Sequence, residues 1–126
     1  MKATELRIGN FVLTDRNNYS KTIVEIRLFT ASVKYIRQDT KCEHQSMVDY
    51  ERLLPIILTE EWLLAFGAKK FNEYWFSFHS YGIIKHSTFI ELYSCVKGDY
   101  ICNSVKYVHQ LQNLYLCLTN EELTIV

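Results

Sequence analysis

The sequence predicts an α+β fold: a small SH3-like β-barrel or meander, followed by an antiparallel β-meander covered by a C-terminal helix. Three observations carry that expectation. The first third alternates short β-rich runs with polar loops, residues 72–102 switch to a period of two, and residues 107–118 carry apolar side chains at helical spacing. On this reading the chain divides into a barrel-like subdomain, 1–57, and an α+β subdomain, 58–126, which together make one folding unit.

Residues 10–14 form the first strand, preceded by Gly9, which suits a turn or bulge. Residues 22–28 place Val24, Ile26 and Leu28 on one face of a second strand, and 32–37 form a third that ends in a polar loop over 38–46. The stretch Asp15-Arg16-Asn17-Asn18-Tyr19-Ser20-Lys21 is rich in turn formers and reads as the loop between the first two strands. Short strands with polar connections favour a strongly bent barrel, and an open meander is also compatible. Pro55, the only proline, disfavours a helix or a central strand and marks a crossover, with a boundary near Ile57. Thr59 then stands at an N-cap position. Glu60 and Glu61 match the positive end of a helix dipole, Leu58 and Leu63 have the spacing of a hydrophobic staple, and Gly67 stops a helix of about two turns.

In the second half, Tyr74, Phe76 and Phe78 alternate with Glu73, Trp75 and Ser77, and Ile90 and Leu92 alternate with Phe89, Glu91 and Tyr93. Ser80-Tyr81-Gly82 and Lys97-Gly98-Asp99 supply turns, so three or four antiparallel strands follow. Ser104 is placed to cap the last helix. Its apolar stripe is Tyr107, Leu111, Leu114 and Leu118, widened by Val108 and Tyr115, and it should cover one face of the meander. Asn120 tolerates the left-handed conformation that ends a helix, and residues 123–126 return as a short strand or extended tail.

Hydrophobic residues make up 48% of the 126 and charged residues 22%, enough apolar material to offset chain entropy and form a core. Lys+Arg and Asp+Glu cancel at 14 each, which removes the bulk-charge argument for nucleic-acid binding. The first seven residues contain no signal-peptide core, and no run approaches the roughly 20 apolar residues of a membrane span. A soluble, cytoplasmic protein without a membrane partner is the expectation. Cys42, Cys95, Cys102 and Cys117 form no CxxC pair, so free thiols are expected, with Cys117 on the apolar side of the last helix as a small hydrophobe.

Three phrases carry a family resemblance: Leu6-Arg7-Ile8-Gly9-Asn10-Phe11-Val12; Pro55-Ile56-Ile57-Leu58-Thr59-Glu60-Glu61-Trp62-Leu63 with Phe66-Gly67; and Lys106-Tyr107-Val108-His109-Gln110-Leu111-Gln112-Asn113-Leu114-Tyr115 with Leu118-Thr119 and Glu121-Glu122-Leu123. Together they resemble a group of short uncharacterised proteins of gut Bacteroides-type bacteria and their phages and mobile elements. The likeness spans nearly the whole chain, departing from the group's usual pattern at Asn120, where glycine is common. It implies a small accessory protein of a mobile genome, with no catalytic residues to carry over.

Chemical motifs are sparse. The chain has no Gly-rich phosphate loop, HExxH or GxSxG. The best metal constellation is His79, His86, Cys95 and Cys102, but six residues intervene within each pair, unlike the close-spaced ligands of structural zinc sites, so neither a metal nor a cofactor is expected. Cys95 with His79 or His109 is the only nucleophile pairing worth naming, and such pairs arise in any chain with four of each residue. Helix capping explains Glu60-Glu61, and a solvated helix exit explains Glu121-Glu122. No catalytic residue is assigned.

Two groups of residues point to binding. Tyr19, Tyr35 and Tyr50 beside Arg16, Lys21, Lys34 and Arg37 offer an aromatic and basic face on the small barrel. His109, Gln110, Gln112 and Asn113 put amides and an imidazole where Lys/Glu pairs are usual on a helix; the plain reading is an exposed polar face, and against it stand two others, that they satisfy buried backbone groups, for example near Pro55, or recognise a partner. The leading expectation is a non-catalytic interaction protein that binds a host or self protein. Self-pairing as a homodimer would use an edge at 71–78 or 123–126. The alternative is a nucleic-acid-binding module on the barrel, and an enzyme ranks third.

Overall fold

The structure, a computed structural model, describes residues 1–15, 17–27, 30–36, 41–95 and 98–126, without the side chains of Ala3, Asn17, Asn18 and Asn103. It is α+β, and the described residues form two five-stranded antiparallel sheets and a C-terminal helix. Two compact units share the chain: Met1–Ile56 with Val108–Glu122, and Ile57–Tyr107 with Leu123–Val126. Among the described residues no helix is long and apolar enough to cross a membrane.

In the first unit, β1 (Phe11–Thr14), β2 (Asn17–Ile26), β3 (Thr30–Ile36), β4 (Glu43–Asp49) and β5 (Leu53–Leu54) lie in the order β4-β3-β2-β1-β5. β4 and β5 are the edges, and no strand pair among the described residues closes the sheet into a barrel. Gly9, at φ +95, turns the chain into β1. A 3-10 turn, Tyr50–Arg52, bends the chain between β4 and β5. Leu6, Val12, Ile23, Ala31, Val33, Val48 and Leu53 form the core.

Three expectations for this unit change. The presumed loop 15–21 is mostly strand: β2 begins at Asn17, which pairs with Thr14, and Arg16 lies outside the described residues. Ile23, not Val24, is fully buried, and a register shift between Ile23 and Glu25 displaces the alternation that placed Val24, Ile26 and Leu28 together. Leu28 lies outside the described residues. The expected loop 38–46 contains the start of β4, which pairs with β3 without interruption from Ile36↔Glu43 to Thr30↔Asp49. Only Val48 of β4 is buried, so an edge strand with a solvated composition resembles a loop until its backbone partner is known.

The second unit begins with α1 (Glu60–Ala65). Thr59 stands at its N-cap in an extended conformation, but its side chain makes no capping hydrogen bond. Gly67, at φ +94, ends it, and the Ala68 N–H donates to Leu63 O. β6 (Lys69–Lys70), β7 (Trp75–Phe78), β8 (Tyr81–Lys85), β9 (Ile90–Ser94) and β10 (Tyr100–Val105) follow as a meander in chain order. Phe76, Phe78, Ile83, Ile90, Leu92 and Val105 are buried. The first turn falls at His79 and Ser80, with His79 at φ +54, and Gly98 at φ +71 serves the β9–β10 connection; Lys97 lies outside the described residues. A Cβ on Gly82 would stand inside the Tyr93 ring, so glycine is what lets that ring cross β8. The edge expected at 71–78 is not open along its length: β6 pairs with β7, and residues 71–74 form the hairpin connection. Residues 123–126 form no strand, and the Val126 N–H donates to Ala65 O.

The C-terminal helix α2 (Val108–Thr119) departs most from expectation. It belongs to the first unit, with β1, rather than to the meander. Its buried residues are Val108, His109, Leu111, Gln112 and Tyr115, whereas Leu118 and Cys117 are exposed. The buried face runs 108, 111, 112, 115, rotated from the hydrophobic stripe because two polar side chains turn inward. Ser104 lies in β10, so it does not cap the helix; the Val108 N–H donates instead to Ile56 O at 2.9 Å. Asn120 takes φ +58 at the helix end, as its residue type predicts.

Candidate functional site

The amide face of α2 is turned toward residues 5–11. Gln112 is 1% exposed. Its Oε1 accepts from the Phe11 N–H at 2.9 Å, and its Nε2 donates to Gly9 O at 3.0 Å, closing both ends of one amide on the backbone around the turn at Gly9. Asn113 Oδ1 accepts from Arg7 Nε at 3.1 Å and Asn10 Nδ2 at 2.8 Å, while its Nδ2 donates to Glu5 O at 3.2 Å. Arg7 also pairs with Glu122 at 2.5 Å. His109 is buried, and burial holds its imidazole below the ordinary value; Glu5 opposes that shift and the terminal ammonium adds to it. Of the four polar residues picked out on this helix, only Gln110 is exposed. Gln112 and Asn113 tie α2 to the N-terminal segment around Gly9 rather than to Pro55, and His109 is buried beside Val108, whose N–H meets Ile56 O.

The aromatic face of the first unit is assembled by strand alternation. Ala31, Val33 and Tyr35 share one face of β3, Ile23, Lys21 and Tyr19 one face of β2, and Val48, Ser46 and His44 one face of β4. The core side chains lie toward one end of these rows and the rings toward the other. Tyr19 stacks on Tyr35 at 6.3 Å and 25°, and Tyr35 on His44, its cross-strand partner, at 5.6 Å and 24°. The Lys21 ammonium lies 5.0 Å from the Tyr35 ring centroid. His44 Nε2 is buried and makes no hydrogen bond. The ladder therefore runs across β2, β3 and β4 and ends at the edge strand.

Tyr19 and Tyr35, with Phe11, Thr22, Lys34 and Ile36, also line a groove of about 400 Å³, and Ile36 is 63% exposed. Lys34 pairs with Glu43 at 2.6 Å. Arg16 and Arg37, the guanidinium groups expected beside the rings, lie outside the described residues. Tyr50 stands apart from the ladder, donating its hydroxyl to Arg27 O. The sequence reading missed His44, which it placed in a loop; the signal was its even spacing from Ser46 and Val48 once 43–49 is read as a strand.

In the second unit the four residues named for metal are not brought together, and among the described residues no three His, Cys, Asp or Glu side chains converge on a point. His86 stacks on Phe89 at 4.5 Å and faces Glu91 at 3.4 Å; His79 packs edge-on against Phe78. All four cysteines are free thiols. No protein-family model, no curated protein and no solved structure matches the chain, so the reading of its function rests on its own geometry.

Proposed function

We propose that this chain is a non-catalytic interaction protein, an accessory factor of a mobile genome, whose first unit binds an extended segment of a partner protein, host or self, alongside β4. The observation that carries the reading is the ring ladder Tyr19–Tyr35–His44, which leads to the edge strand. A strand added there would gain main-chain hydrogen bonds along seven residues and set a side chain against His44. The strand order, with its 3-10 turn before the last strand, also supports reading this sheet as a small, partly open barrel of SH3-like type. Acidic and basic residues balance within each unit, nine of each in the first and five of each in the second, which favours a protein over a polyanion.

The test is affinity capture of the tagged chain from a natural host's lysate with nuclease present, comparing the wild type with the Tyr35→Ala/His44→Ala double variant. The expected result is a stoichiometric protein that the wild type retains and the equally folded double variant loses at least tenfold. Equal retention by both would remove the ladder from the reading. The alternative, a nucleic-acid module, draws on the same stacked rings beside Lys21 and Lys34; it predicts recovery that nuclease abolishes and that falls steeply with salt.

A further inference from the structure

We propose that a cavity on the core face of the first sheet is a binding site for one small oxyanion, a carboxylate or a phosphate. The cavity holds about 140 Å³ and is lined by Thr14, Lys21, Tyr35, Ser46, Met47, Val48 and Arg52, of which Met47 is largely exposed. That volume admits a single anionic group and is well below the roughly 300 Å³ at which pockets for larger ligands begin. Two cations and two aliphatic hydroxyls line it, and no carboxylate does so among the described residues. Arg52 is held from behind, its Nε donating to both oxygens of Asp15 at 3.1 Å.

Lys21 is the unusual member. It occupies a core-facing position two residues from Ile23, and it is 2% exposed. A methionine would fill that place without the cost of burying a charge, so an ammonium there breaks the pattern of its own strand. Its Nζ donates to Tyr19 O at 3.0 Å and lies over the Tyr35 ring, so a carbonyl dipole and a ring quadrupole both position it. Burial pulls its pKa below the ordinary lysine value. An oxyanion in the cavity would accept from the Lys21 ammonium and from the Arg52 guanidinium, and charge-assisted hydrogen bonds of that kind are stronger than neutral ones. The inference is independent of the ladder reading, because an anion can enter whether or not a strand docks on β4.

The experiment titrates the isotope-labelled full chain with acetate, with inorganic phosphate and with an N-acetylated, C-amidated peptide bearing one glutamate, each against sodium chloride at matched ionic strength. Saturable amide shifts at Thr14, Ser46 and Arg52 are expected, weakened about tenfold or more in Lys21→Met. Saturation by acetate or phosphate assigns the site to a free anion. Saturation by the peptide alone assigns it to a carboxylate that a partner brings. The proposal is overturned if none of the three saturates these resonances, or if Lys21→Met binds as the wild type does. Should Lys21→Met fail to fold, Ser46→Ala and Thr14→Val decide by the same criterion.

Discussion

Gln112 shows how one side chain can fix the fit of a helix. Its amide answers a donor at Phe11 and an acceptor at Gly9, on either side of the turn into β1. Gln112→Leu keeps the volume but leaves two backbone groups buried without partners, and should cost about 2–4 kcal/mol in urea unfolding. A loss under about 0.5 kcal/mol would mean that the segment relaxes away from α2. His109 contributes a pH dependence whose sign follows from burial. Its folded pKa is depressed, so its contribution to stability is complete above the unfolded value of about 6.5 and is lost as pH falls through the folded value. The urea midpoint should therefore drop between pH 7.5 and pH 5, and His109→Gln should flatten part of that drop; an unchanged slope would assign the titration to other groups.

At the scale of elements, the sequence was most legible where polar and apolar residues kept their usual sides. β7 and β9 alternate as read, with Phe76, Phe78, Ile90 and Leu92 buried, and Gly67 and Asn120 end their helices in left-handed conformations. β2 and β4 were misread for opposite reasons. In β2 a lysine points into the core, so the strand's first half looked like a loop; in β4 the edge strand buries one residue, so backbone pairing and not composition makes it a strand. In α2 the inward turn of His109 and Gln112 rotates the helix and leaves Cys117 outside. Cys117 should thus react with a thiol reagent in the native state at a rate near that of an unfolded peptide, and Cys117→Ser should change stability by under about 0.5 kcal/mol. Protection of the thiol would restore the original stripe.

For the whole molecule, the central result is that one unit is built from the two ends of the chain and the other mostly from its middle. The Val108 N–H donates to Ile56 O at 2.9 Å, so the points where the chain leaves the first unit and re-enters it are adjacent. A chain in which residues 57–107 are replaced by a short glycine-containing linker should therefore fold, with protected amides in β1–β4 and α2, while residues 1–56 alone should not, lacking the helix that answers Phe11 and Gly9. Circular dichroism and hydrogen exchange check both; a folded 1–56 would show α2 to be dispensable. The aromatic ladder belongs to this scale too, since Tyr19, Tyr35 and His44 meet only through the register of three strands. By itself the sequence determined the α+β class, the period-two meander, the short helix after Thr59 and the C-terminal stops at Gly67 and Asn120, because each depends on residues within a few positions of one another. Only the tertiary structure decided which unit α2 joins, which of its faces turns inward and which rings stack, because those depend on hydrogen bonds between residues about a hundred positions apart, from Arg7 to Asn113 and Phe11 to Gln112, and on strand register.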